Sequence, residues 1–165
     1  MRLSVMVLAL SVAASAFAAE PPGTGGGIEV LRNGAQPPRK GPPTAFSGAA
    51  ELANSFQAKA PGRTGVSTVT FQPGARTGWH THPLGQILVV SAGCGWVQKE
   101  GDPIQLIRSG DVVWIPPGAN HWHGATPATG MTHVAVTESL DGKAVTFTTL
   151  VTDEQYRGGP PPTGC

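Results

Sequence analysis

Four of the five histidines in this 165-residue chain fall in two H-x-H pairs, His80 and His82 in "GWHTHPLGQ" and His121 and His123 in "HWHG". Residues i and i+2 of a strand point to the same face. Each pair can therefore send two imidazoles inward. Gln86 follows His82 after a "PLG" turn, so the chain can bend and offer a fourth group to the same centre. Three imidazole nitrogens and one amide oxygen, from His80, His82, His121 and Gln86, would bind one divalent ion in a half-open shell, leaving room for water or substrate. A single H-x-H is more often a pair of core or surface histidines. Two pairs with an amide beside one of them carry the metal reading.

Gln86 shapes the chemistry such a centre could do. A glutamate there would cancel one unit of the ion's charge, whereas a glutamine leaves it at a formal +2. A more positive centre lowers the pKa of bound water further and polarises a carbonyl more strongly. It also lacks the carboxylate of the iron oxygenases built on two histidines and one acid. The plainer alternative is that Gln86 is a tolerated weak ligand. His123 shares a strand face with His121. In "MTHVAV", His133 alternates onto one face with Met131 and Ala135. If that face lines the interior, His133, with His123 beside it, can serve as general base or acid, a role that suits an ordinary imidazole pKa. The alternative for both is a hydrogen-bonded core histidine.

The elements that must position these groups read as strands. "GVSTVTF" (65–71) is a β run, and "QPGA" (72–75) is a turn. Further strands are expected over 28–33, 46–52, 86–92, 95–99, 103–108, 111–115, 131–140 and 143–151. Asp141-Gly142 is a hairpin signal between the last two. No stretch beyond residue 18 shows a convincing helical period. Glycine (23) and proline (16) are abundant, which suits short strands joined by tight turns. The expected fold class is all-β, a sandwich or barrel. Trp122 sits between two histidines and Trp79 directly precedes one, so both should face away from the ligands and pack an outer layer or a subunit contact.

Two stretches carry a family resemblance. From Gly74 the chain reads G-x5-H-x-H-x3-Q-x6-G, ending at Gly93. From Gly110 it reads G-x5-P-x-G-x2-H, through Pro116 and Gly118 to His121. These resemble the paired motifs of the cupin family, with two departures: Gln86 where the family usually has glutamate, and Ala125 where it often has asparagine. "PGARTGWHTHPLGQ", "GCGWVQ", "GDVVWIPPG", "HWHGA" and "MTHVAVTESLDGKAV" go further. Over residues 46–156 the chain resembles the small single-domain cupins that include the bacterial manganese-dependent hydroxynitrile lyases. The resemblance implies a double-stranded β-helix, or cupin jelly-roll barrel. It implies His80, His82, Gln86 and His121 as metal ligands and His133 as the base. It implies one divalent transition metal per chain, Mn2+ above all, although imidazole also suits Fe, Zn or Ni. It implies a homodimer acting on a small-molecule substrate.

The rest of the chain bounds where this would happen. "MRLSVMVLALSVAASAFAAE" has a positive start, an apolar run and an A-x-A site, which together read as a signal peptide over 1–18. The run is too short to span a membrane. A periplasmic or secreted mature protein is expected, with no membrane association after cleavage. This leader sets the chain apart from the relatives it resembles. A flexible Gly/Pro-rich segment is expected over 19–45, a cupin domain over 46–156 and a disordered tail over 157–165. The net charge is +1 and no basic cluster stands out, which argues against nucleic acid. Cys94 and Cys165 are the only cysteines. A bridge would require the tail to fold back, so two unpaired thiols are expected, with Cys94 as a small core residue.

Three functions follow as expectations. The first is a metal-dependent lyase, hydroxynitrile lyase-like, acting on a small carbonyl or α-hydroxynitrile with a histidine base. The second is a metal-dependent dioxygenase. The third is a non-catalytic periplasmic metal or small-ligand binding protein.

Overall fold

The computed structural model describes residues 27–163 and Cys165. The expected signal peptide over 1–18, and the start of the Gly/Pro-rich segment, lie outside the described residues. Residues 27–30 belong to the first of two compact units and are not in a strand, so the strand expected over 28–33 does not form. The second unit, Leu31–Cys165, holds every strand found among the described residues.

The strands in chain order are β1 (Arg39–Lys40), β2 (Phe46–Ser47), β3 (Ala50–Gln57), β4 (Thr64–Phe71), β5 (Arg76–Thr77), β6 (His80–Thr81), β7 (Gln86–Lys99), β8 (Gln105–Arg108), β9 (Val112–Ile115), β10 (His121–Ala125), β11 (Met131–Glu138) and β12 (Thr146–Phe147). One short helix, α1 (Asp153–Arg157), comes after them. All the strand pairings are antiparallel. They form two curled sheets that share β7, which is the double-stranded β-helix expected from the sequence. The first sheet runs β1-β3-β4-β11-β7, with β9 on the other edge of β7. The second runs from β7 through β10 to β5 and β2, with β8, β6 and β12 attached.

β7 explains how the sheets join. Two strands were expected over 86–92 and 95–99, but the chain forms one strand of 14 residues. Its first part pairs with β9 and β11, and Cys94–Val97 pairs with β8. Gly93 marks the crossing. Its φ is +70, and a Cβ there would collide with the carbonyl oxygen of Gly130, so only glycine lets β7 cross from sheet to sheet. The other motif glycines, Gly74, Gly110 and Gly118, also have positive φ (82, 95 and 73). The run expected as a single strand over 46–52 is likewise split. Phe46–Ser47 pairs with β5 in one sheet and Ala50 onward with β4 in the other, about a turn at Gly48 with φ +78.

Alternation sorts the side chains. Along the start of β7, Gln86, Leu88 and Val90 are buried while Ile87, Val89 and Ser91 face out. Leu88, Val90, Phe71, Met131, Val97, Ile107 and Ile115 meet between the sheets. Each such side chain contributes roughly 1.5–3 kcal/mol by leaving water. A second cluster, Trp79, Trp96, Trp122, Val151 and Tyr156, lies apart from that core. Trp79 and Trp122 thus pack away from the barrel interior, as expected. α1 contributes Tyr156, whose hydroxyl donates to the Ala125 carbonyl at 2.7 Å. A capping box between Thr152 and Gln155 holds the helix start, and Asp153 and Arg157 complement its ends. A helix of five residues is too short to show a period, which is why none was legible.

Three expectations are corrected. Cys94 and Cys165 form a disulfide, with Cα atoms 5.7 Å apart, instead of remaining as free thiols. Cys165 and Thr163, in the segment expected as a disordered tail, are tied back by that bond and by Arg108 donating to the Thr163 carbonyl at 2.8 Å. Third, the Asp141-Gly142 turn forms, with φ 51 and 77, but the strands beside it do not continue as a hairpin. β11 ends at Glu138, and beyond the isolated Leu140–Lys143 bridge Thr146–Phe147 pairs with β6 in the other sheet.

Candidate metal centre

β6 and β10 lie side by side with His121 opposite His80 in the register. His82 comes directly after β6, and Gln86 opens β7. All four residues are buried, at 1–5% exposure. The ligand nitrogens of His80, His82 and His121 lie within 4.8 Å of one another, so three histidines are positioned to hold a metal ion.

Hydrogen bonding fixes which nitrogen each ring offers. His80 Nδ1 lies 2.9 Å from the Gly78 carbonyl, His82 Nδ1 2.7 Å from that of Ala144, and His121 Nδ1 3.0 Å from that of Ala119. A carbonyl only accepts, so each Nδ1 carries the proton and donates it. Each Nε2 is then left as a bare lone pair, the form that ligates a metal. His82 Nε2 is buried with no hydrogen-bond partner. Gln86 Oε1 lies 3.1 Å from His121 Nε2. With His121 protonated on Nδ1, these are two acceptors face to face. That contact is repulsive unless the amide is turned over or a cation lies where both point. An orphaned buried lone pair, a pair of facing acceptors and a set of nitrogen and oxygen donors together fit a divalent ion.

Burial makes the same point electrostatically. Desolvation lowers the pKa of His80 well below 6.5, helped by the neighbouring His121, and lowers those of His82 and His121, the latter to about 4. The rings are neutral at pH 7 and need no deprotonation before binding a metal.

His123 and His133 form a second pair beside the first. His133 is fully buried and His123 is 3% exposed. His133 Nε2 lies 3.2 Å from His123 Nδ1. The His123 ring is 5.3 Å from that of His80. Burial lowers His123 well below 6.5, with His133 as a further cause, and lowers His133 to about 4. Both are therefore neutral, and one proton lies between them. The outer nitrogens, His123 Nε2 and His133 Nδ1, have no protein partner. Whichever ring donates, one outer nitrogen carries a hydrogen and the other a free lone pair. The pair therefore presents one donor end and one acceptor end.

A cavity of about 450 Å³ opens onto His80, His82, Gln86, His123 and His133. Its other walls are largely apolar, with Phe46, Leu52, Val69, Val145 and Phe147 among them. A concave apolar space with a few convergent polar groups is the usual form of a small-molecule site. The structure thus brings His80, His82, His121 and Gln86 together and sets His123 and His133 beside them, with His121 outside the cavity lining. Sequence reasoning missed the carbonyls of Gly78, Ala119 and Ala144, which act through the backbone and leave no mark on residue type. It also missed Phe46 and Phe147, which read simply as strand residues.

Comparison with known proteins agrees with this fold. The family model described as "Cupin domain" matches residues 67–136. The chain is 55% identical over 130 residues to a protein of Granulicella tundricola named (R)-mandelonitrile lyase, covering 79% of this chain and 99% of that protein. Among solved structures it is similar to a cupin-like protein of Thermotoga maritima, with TM-score 0.69 and 36% identity over 80% of this chain and 98% of that one. It also shares its fold with a cupin 2 conserved barrel domain protein of Rhodopseudomonas palustris, with TM-score 0.56 and 18% identity over 68% of this chain and 75% of that one.

Proposed function

The chain belongs to the cupin family, and from that premise we propose that it is a metal-dependent lyase that makes or breaks a carbon–carbon bond in a small α-hydroxynitrile. The observation that carries this reading is the His123–His133 pair opening onto the same cavity as His80, His82 and Gln86, with His121 completing the cluster of three imidazoles behind them. The name of the Granulicella relative supports it.

A divalent ion held by His80, His82, His121 and Gln86, Mn2+ in this reading, would supply Lewis-acid stabilisation of negative charge on the substrate oxygen. The chain's own residues do the rest. Gln86, being neutral, leaves that electrostatic pull undiminished. The basic end of the His123–His133 relay takes the hydroxyl proton. The electron pair of the bond to the cyano carbon leaves with that carbon as the carbonyl forms. The acid end gives up a proton in turn, so the products are a carbonyl compound and hydrogen cyanide. The relay ends with as many protons as it began. The apolar walls keep bulk water from the reacting atoms.

The test is to load the purified chain with Mn2+, Fe2+, Zn2+ or Ni2+ and follow cyanide release from mandelonitrile and its formation from benzaldehyde and cyanide. Conversion that depends on the metal supports the reading. No conversion by protein shown to carry the metal would refute it. Oxygen uptake would favour a dioxygenase instead, and metal binding alone a non-catalytic protein.

Export to the periplasm or beyond is part of the proposal. It is supported by the leader sequence and by the Cys94–Cys165 disulfide, a bond suited to an oxidising compartment. So is a homodimer. Ile87, Val89, Val112 and Trp114, paired across β7 and β9, leave an apolar stripe on the outer face at 37%, 38%, 69% and 57% exposure. Light scattering on the mature chain tests the assembly, and cell fractionation the compartment.

A further inference from the structure

Six aromatic rings close a circuit at the cavity. His80 lies 5.3 Å from His123, and His123 lies 4.8 Å from His133. His133 lies 5.6 Å from Phe71, and Phe71 lies 6.1 Å from Phe46. Phe46 lies 6.3 Å from Phe147, which returns to His80 at 5.0 Å. The imidazoles occupy one arc and the phenyl rings the other. The chemistry fixes the reacting carbon beside the imidazole arc, so the remainder of the substrate is left facing the phenyl arc.

Phe46, Phe56 and Phe147 line the cavity, and the two that belong to the circuit differ in setting. Phe46 is half-buried and packs on the fully buried Phe71. Phe147 sits on β12, a two-residue strand that pairs with β6 and places it opposite His80 in the register. It is 38% exposed although it lines the cavity, so part of a large apolar ring is left without protein cover. Its neighbour Ala144 supplies the carbonyl that holds His82. The segment 144–147 therefore touches both a metal-binding imidazole and the space beside it.

We propose that Phe147, with Phe46 beside it, is the specificity-determining residue of this site and selects substrates in which an aryl ring is attached to the reacting carbon. An aryl ring laid against both adds a third member to this cluster in the tilted or offset geometry that aromatic pairs prefer, at centroid separations of about 4.5–7 Å. An alkyl substituent gains only the burial of its surface. The proposal rests on the lyase reading for the reaction, but ring recognition itself does not depend on turnover.

The experiment compares wild type with Phe147→Leu, Phe46→Leu and Phe147→Tyr, all loaded with metal. It measures kcat/KM for mandelonitrile and for the cyanohydrin of propanal, metal content, and calorimetric binding of benzyl alcohol as an unreactive aryl probe. Phe147→Leu is expected to lower kcat/KM for mandelonitrile about tenfold more than for the propanal cyanohydrin, equivalent to about 1.4 kcal/mol of discrimination, with metal content retained. Phe46→Leu should act in the same direction, and Phe147→Tyr should keep the aryl preference. Equal losses on both substrates, or no loss, would overturn the proposal. If the wild type turns over neither cyanohydrin but binds benzyl alcohol, and Phe147→Leu weakens that binding, the lyase reading fails and the aryl site stands. Probe binding indifferent to both leucine substitutions would overturn the aryl site itself.

Discussion

Replacing His133 by alanine separates chemistry from metal binding. His133 is fully buried and meets His123 at 3.2 Å. Without it, His123 keeps one N–H and one lone pair, but its Nδ1 faces an emptied space and no proton can pass through. Loss of a general base costs about 10²–10⁴ in rate, or roughly 3–5 kcal/mol of barrier. The orienting carbonyls of Gly78, Ala144 and Ala119 do not involve His133, so metal content should not change. Stability should fall by about 1–3 kcal/mol for the unpaired buried nitrogen, so turnover must be measured well below the melting temperature. His123→Ala should lose activity to a similar degree. Because the two rings move one proton as a unit, the double variant should lose no more than the worse single variant. The assay is cyanide release from mandelonitrile, with elemental analysis of the same samples. If His133→Ala keeps turnover within about threefold at unchanged metal content, the base assignment is wrong. If the losses of the two single variants multiply in the double variant, the relay is wrong.

Other consequences can be measured directly. The Cys94–Cys165 bond closes a loop with a sequence separation of 71, so Cys165→Ser should lower unfolding free energy by about 4 kcal/mol on loop entropy, read as a shift in the guanidinium midpoint; an unchanged midpoint would contradict the bond. In metal-stripped protein, His133 has a folded pKa of about 4 against 6.5 for an unperturbed imidazole, so the unfolded chain binds more protons between those values. Stability is then full above pH 6.5 and falls as the pH drops, by about 3 kcal/mol at pH 4 from this group alone, and urea titrations should show it. Gln86→Glu should tighten metal binding and lower turnover, each by about tenfold for ~1.4 kcal/mol of added charge interaction, as measured by competition with a chelator and by cyanide release.

Much of the site was legible because it is written in side-chain types at strand spacing. His80 and His82, and His121 and His123, sit at i and i+2, and two glycine-punctuated motifs fix how far apart they lie. His133 was found by alternation with Met131 and Ala135, of which Met131 is buried and Ala135 lines the cavity. The Cys94–Cys165 bond was not legible, because Gly/Pro composition suggests a loose tail and says nothing of the Arg108 contact that brings it back. β7 was read as two strands because Gly93 looks like a break, when at +70 it lets one strand change sheets. The path of residues 143–151 was misread for a related reason. Asp141-Gly142 announces a tight reversal, but a reversal does not say which sheet the chain joins next.

The groups that aim the three ligand rings are peptide oxygens at Gly78, Ala119 and Ala144. No point substitution deletes a peptide oxygen, and none of these three titrates in water. The aim of the rings is therefore inherited with the chain trace and not with any side chain. Cavity walls can drift toward other substrates while the tripod stays sighted on the same spot. Disabling it indirectly would take an insertion or deletion near one of those three positions, which shifts the trace itself.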